Sequence, residues 1–157
     1  MAKTAHVMPI LDETDRRILR VLSHDARISN VDLAGKVGLS PSACLRRVQE
    51  LERREIIQGY RAQLNSAALG IGFLAYVTVG LSRHTKQEQT DFEAAIKRAP
   101  QVRECHNITG TVEYLLRVET TDLPAYKHFH TEVLGALPQV ATITSYIVMG
   151  SPKDERG

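Results

Sequence analysis

Ser40, Ser42, Arg46, Arg47 and Gln49 form the densest group of recognition-competent side chains in the sequence. With a helix opening at Pro41 and stepping about 100° per residue, Cys44, Val48 and Leu51 make an apolar stripe. The opposite side then presents Ser42, Arg46, Gln49 and Arg53, while Arg47 lies on the flank, better placed for a phosphate. Arg bidentate to guanine, Gln to adenine, and Ser to a base or phosphate are the pairings a helix needs to read a DNA major groove. The bland alternative is a solvated surface helix whose arginines pair with Glu50, Glu52 and Glu55. The surrounding punctuation favours DNA.

That punctuation predicts the elements holding this helix. Ser40 is an N-cap and Pro41 occupies the first helical position, where a missing N–H costs nothing. A shorter helix over Asn30–Val37 has Ser29 as its cap, Asp32 in its first turn and Leu33, Ala34 and Val37 as its buried stripe. Gly38-Leu39-Ser40 joins the two, so the pair reads as a helix-turn-helix. Upstream, Asp12 and Asp15 predict a capping box for a first helix carrying Leu11, Ile18, Leu19 and Leu22. Residues 1–10 have no period and are expected to form a mobile arm.

Composition limits the possibilities without choosing among them. The chain has 157 residues, 5% aromatic, no Trp and a net charge of +2, so its cores must be aliphatic and its charge alone does not mark a nucleic-acid binder. The positive excess lies within residues 1–60. Cys44 and Cys105 both fall in apolar patterns and fit a reducing compartment. No apolar run approaches the roughly 18 residues of a membrane span, and no signal-peptide pattern opens the chain; a cytoplasmic location is expected.

After the recognition helix, Tyr60, Ala62 and Leu64 alternate as in a short strand, which would supply a wing closing a helix-turn-helix domain over residues 11–64. Residues 65–71 read as a linker. From residue 72 the period becomes two. Strand, helix, strand, strand, helix, strand follow over residues 72–81, 87–99, 102–109, 113–120, 123–134 and 140–149. Ala99-Pro100-Gln101-Val102 and Leu137-Pro138-Gln139-Val140 recur at the same place in each half. Two such units give a ferredoxin-like βαββαβ domain over residues 72–150, with both helices on one face of an antiparallel sheet. The fold class is therefore α+β. Apolar residues on both strand faces imply that a second copy covers the sheet, presenting two recognition helices about one DNA turn, or a multiple of it, apart. Residues 151–157 form a polar tail.

Catalytic chemistry finds no assembled group. His128 and His130 are two apart on a predicted helix and do not share a face. Cys105 and His106 point to opposite sides of a strand. No catalytic residue or metal ligand is assigned. The one small-molecule feature is Thr109-Gly110-Thr111-Val112-Glu113-Tyr114: either a hairpin turn needing Gly110, or a loop whose N–H groups and Thr hydroxyls hold a carboxylate while Glu113 faces an ammonium.

The sequence resembles the leucine-responsive/asparagine regulator (Lrp/AsnC, feast/famine) family of transcription factors over residues 11 to about 150. The resemblance is carried by Leu11-Asp12-x-x-Asp15-x-x-Ile18-Leu19, Arg27-Ile28-Ser29-Asn30, Val37-Gly38-Leu39-Ser40-Pro41-Ser42-x-Cys44-Leu45-Arg46-Arg47-Val48, Gln58-Gly59-Tyr60, Val102-x-Glu104-Cys105, Thr109-Gly110 and Tyr114-Leu115-Leu116. It implies dimers assembling to octamers on double-stranded promoter DNA, and an amino-acid effector held between dimers near the Gly110 to Tyr114 loop. Thr144 and Ser145 of a neighbouring subunit are implied beside that loop. No cofactor is implied beyond the effector. The family loop reads Gly-Asp-x-Asp-Tyr, and here Thr111 and Glu113 replace its two acids, so the effector's identity does not carry over. The expectation is a sequence-specific, effector-responsive, nucleoid-associated regulator, with an architectural DNA-wrapping protein of little specificity as the alternative.

Overall fold

The computed structural model describes residues 11–154. They divide into two compact units, the first ending at Gln63 and the second beginning at Leu64. The predicted mobile arm lies outside the described residues, as do the last three residues of the tail.

The first unit is three helices: α1 (Glu13–His24), α2 (Asn30–Val37) and α3 (Pro41–Arg53). Each begins at a side-chain cap. Asp12 accepts from Asp15 N at 2.7 Å, and Asp15 in turn accepts from Asp12 N, closing the capping box. Ser29 caps α2 and Ser40 caps α3, with Pro41 at the first helical position. Gly38, at φ +73°, ends α2 in the left-handed region where a Cβ is strained. Arg17 Nη2 donates to Val37 O (2.8 Å), satisfying a carbonyl at that helix end. Ile18, Leu33, Ala34, Val37, Cys44 and Leu51 form the core. Fully buried Cys44 has its thiol pKa raised by desolvation.

No strand forms between α3 and residue 72, so the predicted wing is absent among the described residues. Tyr60 and Leu64 stand 49% and 64% exposed. The Tyr60 hydroxyl donates to Glu52 Oε1 instead (2.8 Å). Alternation without a partner strand does not make a sheet.

The second unit contains β1 (Phe73–Leu81), α4 (Lys86–Lys97), β2 (Val102–Asn107), β3 (Tyr114–Thr120), α5 (Leu123–His128) and β4 (Val140–Ile147). The four strands form one antiparallel sheet in the order β2-β3-β1-β4. The second predicted helix changes pitch: after α5 the chain continues as a π-helical segment, Phe129–Leu134. An i→i+5 pattern leaves no periodic signature in so short a stretch. Ala75, Val77 and Val79 of β1 and Tyr114, Leu116 and Val118 of β3 face Phe92 and Ile96 of α4, and Tyr126 and Phe129. Contrary to the aliphatic core expected from composition, the few aromatics gather here: Phe92 lies on Tyr114 with centroids 4.6 Å apart, and Phe73 on Tyr126 at 4.9 Å.

The other sheet face is mixed. Leu74, Tyr76, Leu115 and Tyr146 are joined there by an ion-paired group in which Arg117 Nη2 meets Glu119 at 2.6 Å and Glu104 lies at 3.8 Å from Arg117 Nε. Gly80 sits on this face directly beneath Thr142, Val112 and Glu113, and a Cβ there would collide with Thr142 Oγ1. Gly80→Ala is expected to cost about 1–3 kcal/mol in chemical denaturation. Combining it with Thr142→Ala should recover most of the loss, because the second change empties the space the new methyl needs.

Candidate functional site

The sequence-predicted DNA side chains separate into two groups on α3. Ser42, Arg46 and Gln49 are exposed along one stripe, and Arg46 and Gln49 make no hydrogen bond or ion pair among the described residues. Leu45, to which the sequence reading gave no role, stands 46% exposed within the same stripe. Its spacings of three and four residues from Ser42 and Gln49 were the signal that could have found it. Arg53, at the far end, is tied to Glu50 through two bonds of 2.6 and 2.8 Å. Ser40 spends its hydroxyl on the helix start, accepting from Ala43 N (3.3 Å) and lying 3.3 Å from Ser42 Oγ. Asn30 Nδ2 donates to Pro41 O (2.8 Å), anchoring α2 against the first turn of α3.

Arg47 is differently employed. Its Nη1 donates to Asp12 Oδ2 (2.6 Å) and Asp15 Oδ1 (2.8 Å), so one guanidinium joins the recognition helix to the first turn of α1. The Asp15 N–H, and then Arg47, hold the Asp12 carboxyl below its ordinary range; the two carboxylates push Arg47 further up. Half-buried Arg47 already has two anionic partners, whereas Arg46 has none among the described residues.

The predicted effector loop is pinned at several points. Ile108 N donates to Glu113 O (2.8 Å) and Glu113 N to Val79 O (3.2 Å). The Glu113 carboxylate accepts from Leu81 N (2.7 Å) through Oε2 and meets His84 Nδ1 (2.5 Å) through Oε1. Both oxygens are therefore engaged within the chain. Gly110, at φ +140°, makes the turn, and a Cβ there would meet open space, so backbone conformation rather than crowding calls for glycine. Thr109, Gly110 and Thr111 are exposed, while Val112 lies against the Gly80 position.

Glu113 and Tyr114 diverge. Tyr114 points to the helix side, its ring buried and its hydroxyl donating to Glu93 Oε1 (2.8 Å). Desolvation and that carboxylate raise its pKa well above the usual phenol value. Thr144 and Ser145 also diverge: Thr144 pairs with Thr78 on the outer face, and Ser145 bonds to the Tyr126 hydroxyl on the helix face. Within one chain, the β4 residue beside the loop is Thr142. Cys105 and Cys44 are both free thiols. Among the described residues no group of three or more His, Cys, Asp or Glu could hold a metal ion, and no helix is long and apolar enough to cross a membrane.

Comparison with known proteins accounts for both units. The AsnC-type helix-turn-helix domain model matches residues 11–52, and the Lrp/AsnC ligand binding domain model matches residues 74–157. The leucine-responsive regulatory protein of Salmonella typhimurium is 42% identical over 143 residues, covering 91% of this chain and 87% of its own length. The Escherichia coli K12 protein of that name is 41% identical over the same length. Among solved structures, a transcriptional regulator of Neisseria meningitidis, determined as its L-Met complex, is 36% identical with a TM-score of 0.89, covering 92% of this chain and 94% of that one. An AsnC family regulator from Agrobacterium tumefaciens is 30% identical with a TM-score of 0.86 over the same shares. With a capped recognition helix in the first unit and a ferredoxin-like ligand-binding domain in the second, this chain belongs to the Lrp/AsnC family of ligand-responsive, DNA-binding transcriptional regulators, a family without enzymatic activity.

Proposed function

We propose that this regulator reads specific promoter sites through Ser42, Leu45, Arg46 and Gln49, and that an α-amino acid is the ligand that modulates it. The observation that carries the DNA assignment is the exposed, unpaired Arg46–Gln49 stripe on a helix capped by Ser40 and braced by Asn30. Arg46 and Gln49 suit purine edges, Leu45 suits a thymine methyl, and Ser40 and Ser42 flank a helix N-terminus that attracts a phosphate. Arg47 serves the same surface by orientation: it fixes α3 on α1 and its charge is matched by Asp12 and Asp15.

The Lrp/AsnC ligand-binding domain and the L-Met complex of the similar Neisseria regulator support an amino-acid effector. The exposed loop of Thr109, Gly110, Thr111 and Val112, with Glu113 and Tyr114 anchoring its end, forms part of the site; of the two β4 residues, the outer-face Thr144 of a neighbouring subunit is the one that can adjoin it, Ser145 being turned to Tyr126. The outer sheet face, with Leu74, Tyr76, Leu115 and 57%-exposed Tyr146, buries against a second copy, and dimers assemble further, to octamers. The protein works in the cytoplasm on nucleoid DNA, at genes of amino-acid metabolism. Effector and DNA are linked through assembly geometry, each changing the affinity for the other by one factor.

Gel shifts on the gene's own promoter region against competitor DNA, with and without amino acids, test this reading. Specific retention altered by an amino acid is the expected result; equal retention of all DNA, unaffected by amino acids, would identify an architectural protein instead. Arg46→Ala should cost about 1–3 kcal/mol on the specific site and relax base preference there. Arg47→Met should weaken binding while leaving the slope of log K against log salt unchanged. A slope shallower by about 0.9 would put Arg47 on a phosphate.

A further inference from the structure

A cleft of about 490 Å³ lies between α4 and the edge strand β2, on the helix side of the sheet. That volume falls in the range of small-molecule sites. Glu93 and Lys97 are four residues apart on α4 and thus share a face, bringing a carboxylate and an ammonium to the same wall. Opposite them, Cys105 and Asn107 lie on the helix-facing side of β2, paired with Leu116 and Tyr114. Ile96 and Val102 supply apolar surface.

The carboxylate is set in place before any ligand arrives. Tyr114 Oη donates to Glu93 Oε1 at 2.8 Å from a ring locked in the core against Phe92. One oxygen is thereby fixed on a residue that lines the cleft. Asn107 reaches Glu113 O through Nδ2 (3.3 Å), joining this wall to the end of the Gly110 loop. Desolvation first, and then Glu93, push the Cys105 thiol up to about 11, with Lys97 opposing, although the residue keeps exposed surface.

A positioned anion, a cation one helical turn away and an aliphatic surface between elements complement a molecule with an ammonium, a carboxylate and an apolar side chain. Glu113 is poorly suited to receive that ammonium, because Leu81 N–H and His84 already occupy its oxygens. We propose that the α4–β2 cleft binds a small zwitterion, Glu93 taking its ammonium and Lys97 its carboxylate. The inference rests on the amino-acid reading above and adds the residues that would receive the ligand.

Titration calorimetry of the full chain with the common L-amino acids, L-Met and L-Leu first, tests it. Glu93→Gln and Lys97→Gln should each weaken binding roughly tenfold or more, as expected for lost charge-assisted bonds. Lys86→Gln, at the start of α4 outside the cleft, should bind as the parent does. Glutamine can still accept from Tyr114, and an unchanged melting temperature checks that the fold is kept. Alkylation of Cys105 provides a second readout, with fully buried Cys44 as the internal reference. Ligand should slow Cys105 labelling in the parent and not in Glu93→Gln. If the parent binds an amino acid, Glu93→Gln binds it equally and Cys105 stays unprotected, the ligand lies elsewhere: this inference falls and the amino-acid reading stands. If the parent shows neither heat nor protection with any amino acid, both fall.

Discussion

The pleat of the sheet governs the second unit. Successive side chains along a strand point to opposite faces, and β1 sits between β3 and β4 with Ala75, Val77 and Val79 completely buried toward the helices. That register leaves little freedom to its neighbours: a slip of one residue would turn every buried side chain outward. The alternation carries through to the residues that bear chemistry. Tyr114 is sent to the helix side with Val79, while Glu113 goes to the outer face over Gly80. Cys105 faces α4 and His106 faces away, and Ser145 meets Tyr126 while Thr144 does not. Neighbours in sequence thus serve separate surfaces, and the end of the Gly110 loop divides between them, Glu113 to one face and Tyr114 to the other.

In the first unit the deciding interaction is electrostatic. Asp12 at the N-cap and Asp15 in the first turn of α1 would oppose each other, were they not joined by the capping box and a shared guanidinium. The bond from Arg47 to Asp15, whose side chain is 12% exposed, is screened less by water than an ordinary surface pair. Removing either partner leaves the other's charge against the helix packing. The consequence for DNA is subtractive. Of the arginines on α3, Arg47 is matched by Asp12 and Asp15 and Arg53 by Glu50, so Arg46 carries the uncompensated charge of the exposed stripe. Among the described residues, a helix with adjacent arginines in sequence therefore offers one free cation on its exposed stripe, beside Ser42, Leu45 and Gln49.

Legibility in the sequence followed the range of the interactions. Caps, the proline at the start of α3 and Gly38 act within a few residues, and they marked α2 and α3 at their observed beginnings. Strand alternation with a repeated Pro-Gln-Val junction marked the βαββαβ order, because each strand finds partners. Tyr60 to Leu64 shows the same alternation and forms nothing, since pairing is a property of two segments and one segment cannot declare it. The ion pairs of Arg47 were hidden for the same reason: its partners lie 32 and 35 residues upstream. Glu93 and Lys97 drew no role from the sequence, because only the close approach of β2 gives them a shared cleft.

These pairings also bear on how a ligand can act. The Gly110 loop is held by two backbone bonds and by both oxygens of Glu113, whose side chain, one methylene longer than the family's aspartate, reaches the end of β1. A loop fixed in this way is already ordered, so ligand binding gains little by ordering it. A ligand shifts an equilibrium only by its differential affinity for two states, and those states must differ in the surfaces it touches. The α4–β2 cleft has such surfaces, because one wall is a helix and the other a sheet edge whose outer side is unpaired within this chain. Groups bridging Glu93 to the β2 side would set the spacing between helix and edge. An assembly that packs against that edge would feel the spacing directly, with no rearrangement of the sheet core.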